Sequence, residues 1–312
     1  MYVVASRLQN LSFQPFSFSV LVMVTLQNGQ PLPPLVFGTG FRESGRRGHV
    51  DAALVIGYRA IDSASSRKFH DEELDGDQLL KGLQSTGMAM SIRDVFVQSK
   101  FTPAEWHIEP RPFGLNDNIT TQVMKSVLRS ARDLQVATLD AYLLHGPLDT
   151  IEETTTAWKT LEDIVLHGGI RYLGICNVDL STLEQLYSAA IVKPTLVQNR
   201  LRERGNYDRG VVEFCAANGI VYQVFGVLWK SNQGLLQSET VRNHASANGY
   251  SAVQALYNLL IATAREKGVQ LSIVDGASCQ QNMADNLIAA EVVHVVSKEV
   301  LSDTLRLLQW KD

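Results

Sequence analysis

Asp62, Lys100 and His145 are a carboxylic acid, an amine and an imidazole, and each stands at or directly after the carboxyl end of a short apolar run. A desolvated Lys–Asp pair can lower the pKa of a neighbouring hydroxyl, and a histidine can orient or polarise a carbonyl oxygen. Taken singly, Asp62 could cap a helix or a turn, Lys100 could be solvated, and His145 could be a core histidine. Together they predict acid–base chemistry if the fold brings the three runs to one place.

The elements that would position these residues follow a regular alternation. Short β-branched runs, typical of parallel strands covered on both faces, alternate with amphipathic stretches. The predicted strands are Leu35–Thr39, Ala60–Ser63, Val95–Ser99, Leu139–Leu144, Tyr172–Cys176, Thr195–Gln198, Val221–Phe225 and Leu271–Val274. The predicted helices include Arg47–Ile56, Leu74–Gln84, Thr120–Leu134, Glu152–His167, Leu180–Ala190, Gly210–Asn218 and Ser251–Lys267. This alternation predicts an α/β fold, a single (β/α)8 TIM barrel, in which the carboxyl ends of the strands share one mouth.

A hairpin is predicted ahead of the first barrel strand. Ser19–Thr25 and Pro33–Phe37 flank Asn28-Gly29, a dipeptide that favours a tight β-turn. Residues 1–16 precede this hairpin and are predicted to form a poorly ordered N-terminal extension. We therefore expect one barrel domain over residues 17–312.

The composition excludes several classes of function. The chain has 312 residues, of which 45% are hydrophobic and 19% charged, so it can bury a sizeable core. A net charge of −4 does not favour binding to nucleic acid. No apolar stretch is long enough to span a bilayer. Cys176, Cys215 and Cys279 lie far apart, with neither pairing nor metal-ligand spacing. We expect a cytoplasmic protein that has no metal site and binds neither nucleic acid nor membrane. The sequence leaves the oligomeric state open.

Three segments together resemble the aldo-keto reductase family, and the resemblance extends over roughly residues 30 to 290. The segments are Gly57–Ala64, Val95–Lys100 and Ala141–Pro147. Enzymes of that family use an Asp, a Tyr, a Lys and a His, and the resemblance assigns three of these roles to Asp62, Lys100 and His145. It also implies a barrel whose lower end is closed by a hairpin.

The tyrosine of that set has no counterpart here. In the family it lies three residues before the Glu of an Asn-Glu pair, and it donates a proton to a carbonyl oxygen while a nicotinamide donates hydride. Asp71-Glu72 matches the pair, which puts Phe69 at the tyrosine position, and a slip of one residue would put His70 there instead. Phe69 has no ionisable proton. His70 could act as an acid or base near neutral pH, or could be an exposed loop histidine.

The resemblance also implies residues that contact a nicotinamide. Asn177 and Gln198 match residues that hold its carboxamide, and Cys176 replaces the serine that normally precedes the asparagine. Phe225 replaces the tyrosine that stacks on the ring. Packing within the barrel remains the alternative explanation for Phe225 and for Cys176.

The expected adenosine end has lost its positive charge. Gly276 aligns with a lysine and Asn282 with an arginine that bind the 2′-phosphate of NADP, and Asp275 adds negative charge beside them. Backbone amides at the start of Gln280–Leu287 could still bind a phosphate. We therefore expect no cofactor to be favoured, with NADP and a weakened 2′-phosphate site as the alternative.

Two predicted loops follow strand ends, Thr102–Asn118 and Trp229–Ala247. Their residues Trp106 and Trp229, together with Phe69, predict a pocket for an apolar small molecule. The expected function is non-redox acid–base chemistry on an apolar carbonyl compound (cyclisation, isomerisation or dehydration) in secondary metabolism. One alternative is an NADPH-dependent carbonyl reductase whose proton donor has moved to His70 or to a water on His145. A catalytically silent binding module is the other.

Overall fold

The computed structural model describes residues 19–21, 24–40, 49–203, 206–294 and 296–310. The predicted extension, residues 1–16, lies outside the described residues. Eight parallel strands close into a barrel in chain order, with the last strand hydrogen-bonded to the first. They are β4 Leu35–Gly38, β5 Ala60–Asp62, β6 Phe96–Phe101, β7 Leu139–Leu144, β8 Ile170–Cys176, β9 Leu196–Arg200, β10 Val221–Phe225 and β11 Leu271–Asp275. The predicted (β/α)8 barrel is confirmed.

Helices surround this barrel. Those of the described residues are α1 Val50–Ile56, α2 Glu72–Ser85, α3 Ile119–Asp133, α4 Ile151–Leu166, α5 Leu180–Ala189, α6 Arg209–Asn218, α7 Gln233–Leu236, α8 Glu239–Asn248, α9 Ala252–Glu266, α10 Gln280–Glu291 and α11 Lys298–Leu307. None of the described helices has the length and hydropathy needed to cross a membrane. Several begin at a side chain that accepts a hydrogen bond from the first turn, as Asp71 does for α2 and Thr150 for α4. Such a cap stabilises a helix by about 1 kcal/mol.

The strands are buried because most of their residues, on both faces, are apolar. All six residues of β7 are buried, and the predicted bounds of this strand match the structure at both ends. β6 extends two residues beyond its prediction, so Lys100 lies within the strand and not after it. Asp62 is the last residue of β5. The barrel therefore presents both side chains at its carboxyl end.

The N-terminal hairpin is present but shorter than predicted. It consists of β2 Val24–Thr25 and β3 Pro31–Leu32, and the turn between them contains Gly29, whose φ of +83° favours glycine. β1 Ser19–Leu21 pairs instead with β12 Val292–His294, and the chain from Leu35 onward belongs to the barrel. Val24 and Leu32 belong to one buried cluster with the barrel residues Leu196 and Val221, so the hairpin packs against the lower end of the barrel.

The predicted loop Trp229–Ala247 is wrong over most of its length, because α7 and α8 lie within it. Ser238, a polar residue within this segment, is the N-cap of α8 and accepts a hydrogen bond from the Val241 amide. Val241 and Ala245 are buried on one face of that helix. Polar composition therefore marked a helix boundary here and not irregular structure.

Candidate functional site

A buried ion pair joins two neighbouring strands at the mouth of the barrel. Lys100 Nζ lies 2.6 Å from Asp62 Oδ1 and donates a second hydrogen bond to the Ser63 carbonyl at 2.8 Å. Only 2% of Lys100 and 4% of Asp62 is exposed to solvent. Since an ammonium group has three protons, one remains. No acceptor for it exists among the described residues, and Lys100 lines the cavity above the barrel.

The Asp62 carboxylate is also the centre of a buried amide network. Its Oδ1 accepts hydrogen bonds from Gln98 Nε2 at 2.6 Å and from Gln198 Nε2 at 3.1 Å. Gln198 Nε2 donates a further hydrogen bond to Gln223 Oε1, also at 3.1 Å. Gln198 lines the cavity, but both of its amide protons are donated inside the barrel. To donate to a nicotinamide carboxamide, as the sequence predicts, it must release one of these bonds.

His145 follows β7 and faces the same cavity as Lys100. Its Nδ1 is 2.9 Å from Thr102 Oγ1, and the Trp106 ring packs edge-on against it with centroids 5.5 Å apart. Burial, together with the positive charge of Lys100 and then His107, lowers the pKa of His145 to about 3. The ring is therefore neutral at ordinary pH, so it can donate a hydrogen bond to an oxygen but does not serve as an acid.

Phe69 and His70, the two candidates for the tyrosine position, both line this cavity. A turn positions them, since the amides of both residues donate to the Ser66 carbonyl. His70 Nδ1 lies 3.0 Å from Thr39 Oγ1, and the His70 and His145 ring centroids are 6.3 Å apart. Both alignments therefore put a cavity-lining residue where the tyrosine would be.

Tyr257 is the one tyrosine that lines the cavity in the described part of the chain. Its hydroxyl donates to Asp275 Oδ1 at 2.9 Å. Burial and the adjacent Asp275 carboxylate raise the pKa of Tyr257 well above its usual value. This hydroxyl is thus not a proton source for a ligand, and no other tyrosine lines the described wall.

Three other residues were predicted to contact a nicotinamide, and only two of them line the cavity. Asn177 and Phe225 line the cavity, and Asn177 Nδ2 donates to the His145 carbonyl at 2.8 Å. Cys176 is fully buried and belongs to the core cluster beneath the cavity. Its Sγ lies 3.6 Å from Gln198 Oε1. Burial raises the pKa of the Cys176 thiol, so this residue is an inert packing group in the folded chain.

Arg200 is a cavity residue that the sequence analysis missed. It ends β9, and its guanidinium lies over the Trp229 ring, with Cζ 3.6 Å from the ring centroid. The Phe225 ring is also near, at 5.7 Å. Residues two apart on a strand point to the same side, so Gln198 and Arg200 share one direction. That spacing is the signal that would have found it.

The Asp275 side chain does not lie on the cavity wall, contrary to expectation. Its carboxylate is fully buried and accepts hydrogen bonds from Tyr58 at 2.6 Å, from Tyr257 at 2.9 Å and from Asn286. A different acid, Asp285, lines the wall. The loss of positive charge at Gly276 and Asn282 remains, and both positions line the cavity.

The cavity that these residues share has a volume of about 810 Å³. Trp106 and Trp229 both line it, as predicted for an apolar pocket. Lys100 and Arg200 are the only cationic lysine or arginine side chains among its described lining residues. No cluster of His, Cys, Asp or Glu that could hold a metal ion occurs in the part of the chain that the structure describes.

One buried acid behind the site, Glu72, has a raised pKa. Glu72, the first residue of α2, accepts hydrogen bonds from Ser99 at 2.5 Å and Ser130 at 3.1 Å. Burial raises the pKa of Glu72 from 4.5 to about 7. Between these two values the folded state binds more protons than the unfolded state, so this group's contribution to stability falls as pH rises.

We therefore expect a Glu72→Gln variant to gain thermal stability relative to wild type at pH 8, and to gain less or lose stability at pH 5. Melting temperatures at the two pH values measure the difference. The control is Glu73→Gln, the adjacent exposed position that pairs with Arg67 at the surface, which is expected to show little pH-dependent change. A Glu72→Gln variant whose difference from wild type is the same at both pH values would show that Glu72 is ionised throughout.

Known proteins resemble this chain in sequence. A profile of the aldo/keto reductase family matches residues 37–281. The NADPH-dependent codeinone reductase 1-3 of Papaver somniferum is 26% identical over 74% of this chain and 75% of its own length. Aldo-keto reductase family 1 member A1 of Rattus norvegicus is 26% identical over 75% of each chain.

Solved structures share the fold. An aldo/keto reductase from Brucella melitensis superimposes with a TM-score of 0.73 at 20% identity, covering 92% of this chain and all of that one. A Bombyx mori aldo-keto reductase, solved in complex with NADP, gives 0.71 at 20% identity and covers 92% of each chain. The profile match spans the ion pair, both cavity histidines and the aromatic wall, and it shows that the chain belongs to the aldo/keto reductase family.

Proposed function

We propose that this protein reduces the carbonyl group of an apolar aldehyde or ketone with a nicotinamide nucleotide. The observation that carries the proposal is the Lys100 ammonium, which Asp62 and Ser63 hold at the cavity wall with one proton that no described residue accepts. Relatives named as NADPH-dependent reductases support it, as does a structural neighbour that binds NADP. These comparisons give no support to our expectation that no cofactor is favoured, nor to a cyclase, isomerase or dehydratase.

The cavity fits most of such a nucleotide. Its volume of about 810 Å³ lies within the range of small-molecule sites. Phe225 offers a ring for stacking, Asn177 an amide, and Arg200 a positive charge. The fit is weaker at the adenosine end, where Gly276 and Asn282 offer no charge to a 2′-phosphate. When bound, a reduced nicotinamide supplies hydride to the carbonyl carbon.

The chain's own residues supply the proton and the electrostatic stabilisation. Lys100 donates its remaining proton toward the carbonyl oxygen, where negative charge develops as reduction proceeds. Asp62 fixes the ammonium in place and compensates its charge between turnovers. Neutral His145 adds an N–H donor to the same oxygen. His70, 6.3 Å from His145 between ring centroids, is available to return a proton from outside.

A Phe69→Tyr variant tests where the missing phenol belongs. If Phe69 holds the family's tyrosine position, the new hydroxyl lies beside Lys100 and the variant gains carbonyl reduction, by about 100-fold, which is typical of a placed general acid. Nucleotide consumption with a panel of aldehydes measures the gain. His70→Tyr is the matched control, and it tests the alignment shifted by one residue.

The gain should appear in only one of the two variants. Activity gained by His70→Tyr alone would show that His70 holds the position. If neither variant gains activity, the loop after β5 carries neither residue to the reacting oxygen.

A non-redox acid–base reaction is the second candidate. Two observations favour it: the amide protons of Gln198 are committed inside the barrel, and Asp285 lines the wall where a phosphate clamp would need positive charge. Calorimetric titration with NADPH and with NADH separates the candidates. Saturable binding with consumption of nucleotide supports the reductase, whereas the absence of binding at millimolar concentration would reject it in favour of the second candidate.

A further inference from the structure

Arg200 lies on the cavity wall in contact with two aromatic rings. Its guanidinium carbon lies 3.6 Å from the Trp229 ring centroid and 5.7 Å from that of Phe225, so two aromatic rings hold it. A cation over an aromatic face is attracted to it, and this restricts the motion of the arginine. A Cβ atom on Gly226 would lie 3.2 Å from Arg200 Cγ, and the φ of Gly226 is +68°. The chain thus keeps a small residue beside the arginine stem.

The hydrogen-bonding groups of this arginine are unused. Among the described residues, the Arg200 guanidinium makes no hydrogen bond or ion pair, and its Nε is buried without a partner. Two other partly buried arginines form ion pairs: Arg129 with Asp133 at 3.1 Å, and Arg209 with Glu213 at 2.9 Å. Burying the Nε–H donor without an acceptor is costly. Such a group on the wall of a cavity is poised for an external acceptor.

The charge distribution of the wall indicates the sign of that acceptor. Of the two lysine and arginine residues in the described lining, Lys100 has its charge compensated by Asp62. Although the carboxylate of Asp285 also lines the wall, Arg200 has no such ion pair among the described residues. Its planar fork suits the oxygens of a phosphate, which it can bind through two parallel hydrogen bonds.

We propose that Arg200, held between Trp229 and Phe225, binds a phosphate group of the nicotinamide nucleotide in this cavity. The inference rests on the proposed function, because it takes the ligand to be the nucleotide of the reduction. It adds a positive charge at a different place on the wall from Gly276 and Asn282, the positions that align with residues binding the 2′-phosphate. Arg200 is adjacent to Phe225, so the phosphate it would reach is the one near the stacked ring.

Calorimetric titration of the full chain tests the proposal with four probes. They are NADH, reduced nicotinamide mononucleotide, the reduced riboside without phosphate, and inorganic pyrophosphate. In Arg200→Met we expect the Kd for NADH and for the mononucleotide to rise by about 10- to 100-fold, and the Kd for the riboside to stay unchanged. Arg200→Lys keeps the charge without the fork and should lie between wild type and Arg200→Met.

Arg202→Met is the matched control, because it removes the same charge from an exposed position two residues on. It should leave every Kd close to that of wild type. Circular dichroism and melting temperature establish that each variant is folded. Equal Kd values for NADH in wild type and in a folded Arg200→Met protein would overturn the proposal, and so would an equal loss of riboside binding.

The pyrophosphate arm separates this inference from the proposed function. If wild type binds pyrophosphate through Arg200 but binds no nicotinamide nucleotide, the phosphate site stands and belongs to another phosphate-bearing ligand, while the reductase proposal fails. If nucleotides bind and Arg200→Met makes no difference, the reductase proposal stands and the role of Arg200 is rejected.

Discussion

A Lys100→Met variant should reduce carbonyl compounds about 1000-fold more slowly than wild type, since it loses the principal donor to the developing oxyanion. It should also lose about 3–5 kcal/mol in free energy of unfolding, because Asp62 would remain as a buried charge without its cation. Turnover with saturating nucleotide measures the first effect, and urea denaturation measures the second.

Controls separate these two effects. The Asp62→Asn/Lys100→Met double variant removes both charges and should recover much of the stability but none of the activity. Lys81→Met breaks a surface Lys–Asp pair with the same 2.6 Å separation. This pair is exposed to solvent, so Lys81→Met should cost only about 0–1 kcal/mol. A stable and active Lys100→Met protein would show that the ion pair serves neither folding nor chemistry.

The second large effect concerns the choice of nucleotide. A Gly276→Lys/Asn282→Arg double variant should bind NADPH at least about 100-fold more tightly than wild type, since each restored charge contributes about 1.5–3 kcal/mol. The substitutions are sterically feasible: a Cβ atom on Gly276 would have no neighbour within 4 Å, and Asn282 is exposed in the first turn of α10.

NADH is the internal control for this variant. It lacks the 2′-phosphate, so its Kd should remain close to the wild-type value. Equal gains for the two nucleotides would indicate a general effect of net charge, and no gain for either would show that the 2′-phosphate does not approach these positions. The substitutions Gly276→Ser and Asn282→Gln test whether the change in shape alone has any effect.

The barrel and the buried Lys–Asp pair at its mouth could be predicted because they depend on local pattern. Runs such as Leu139–Leu144 are apolar on both faces and can be satisfied only as central parallel strands. Once the strands were placed, the convergence of Asp62, Lys100 and His145 followed from topology. The missing tyrosine was equally visible, because it is a matter of residue identity at Phe69 and His70.

Features that depend on where a side chain finds its partner could not be predicted. Asp275 was expected beside a phosphate, but two buried tyrosines and Asn286 direct its carboxylate inward. Gln198 lines the cavity, but the sequence did not predict that its amide protons are donated to Asp62 and Gln223, which come from distant parts of the chain. The spacing from Gln198 could have placed Arg200 at the cavity, but only the structure reveals that its Nε lacks a partner.

The contact between the Trp229 ring and the Arg200 guanidinium is another feature that the sequence could not predict. The sequence suggested that Trp229 lies in a loop and lines an apolar pocket, and the cavity lining includes it. Its contact with the guanidinium joins two strand ends, β9 and β10, that are separate in sequence. Pattern alone does not encode such a pair, because it arises only when β9 and β10 lie side by side.

Binding of nicotinamide nucleotide to the purified protein tests the account most directly. The account predicts that NADH and NADPH each bind saturably, one molecule per chain, with similar affinity, and that an apolar aldehyde then causes the bound nucleotide to be oxidised. Failure of both nucleotides to bind at millimolar concentration, or binding without oxidation across a broad panel of aldehydes and ketones, would contradict it.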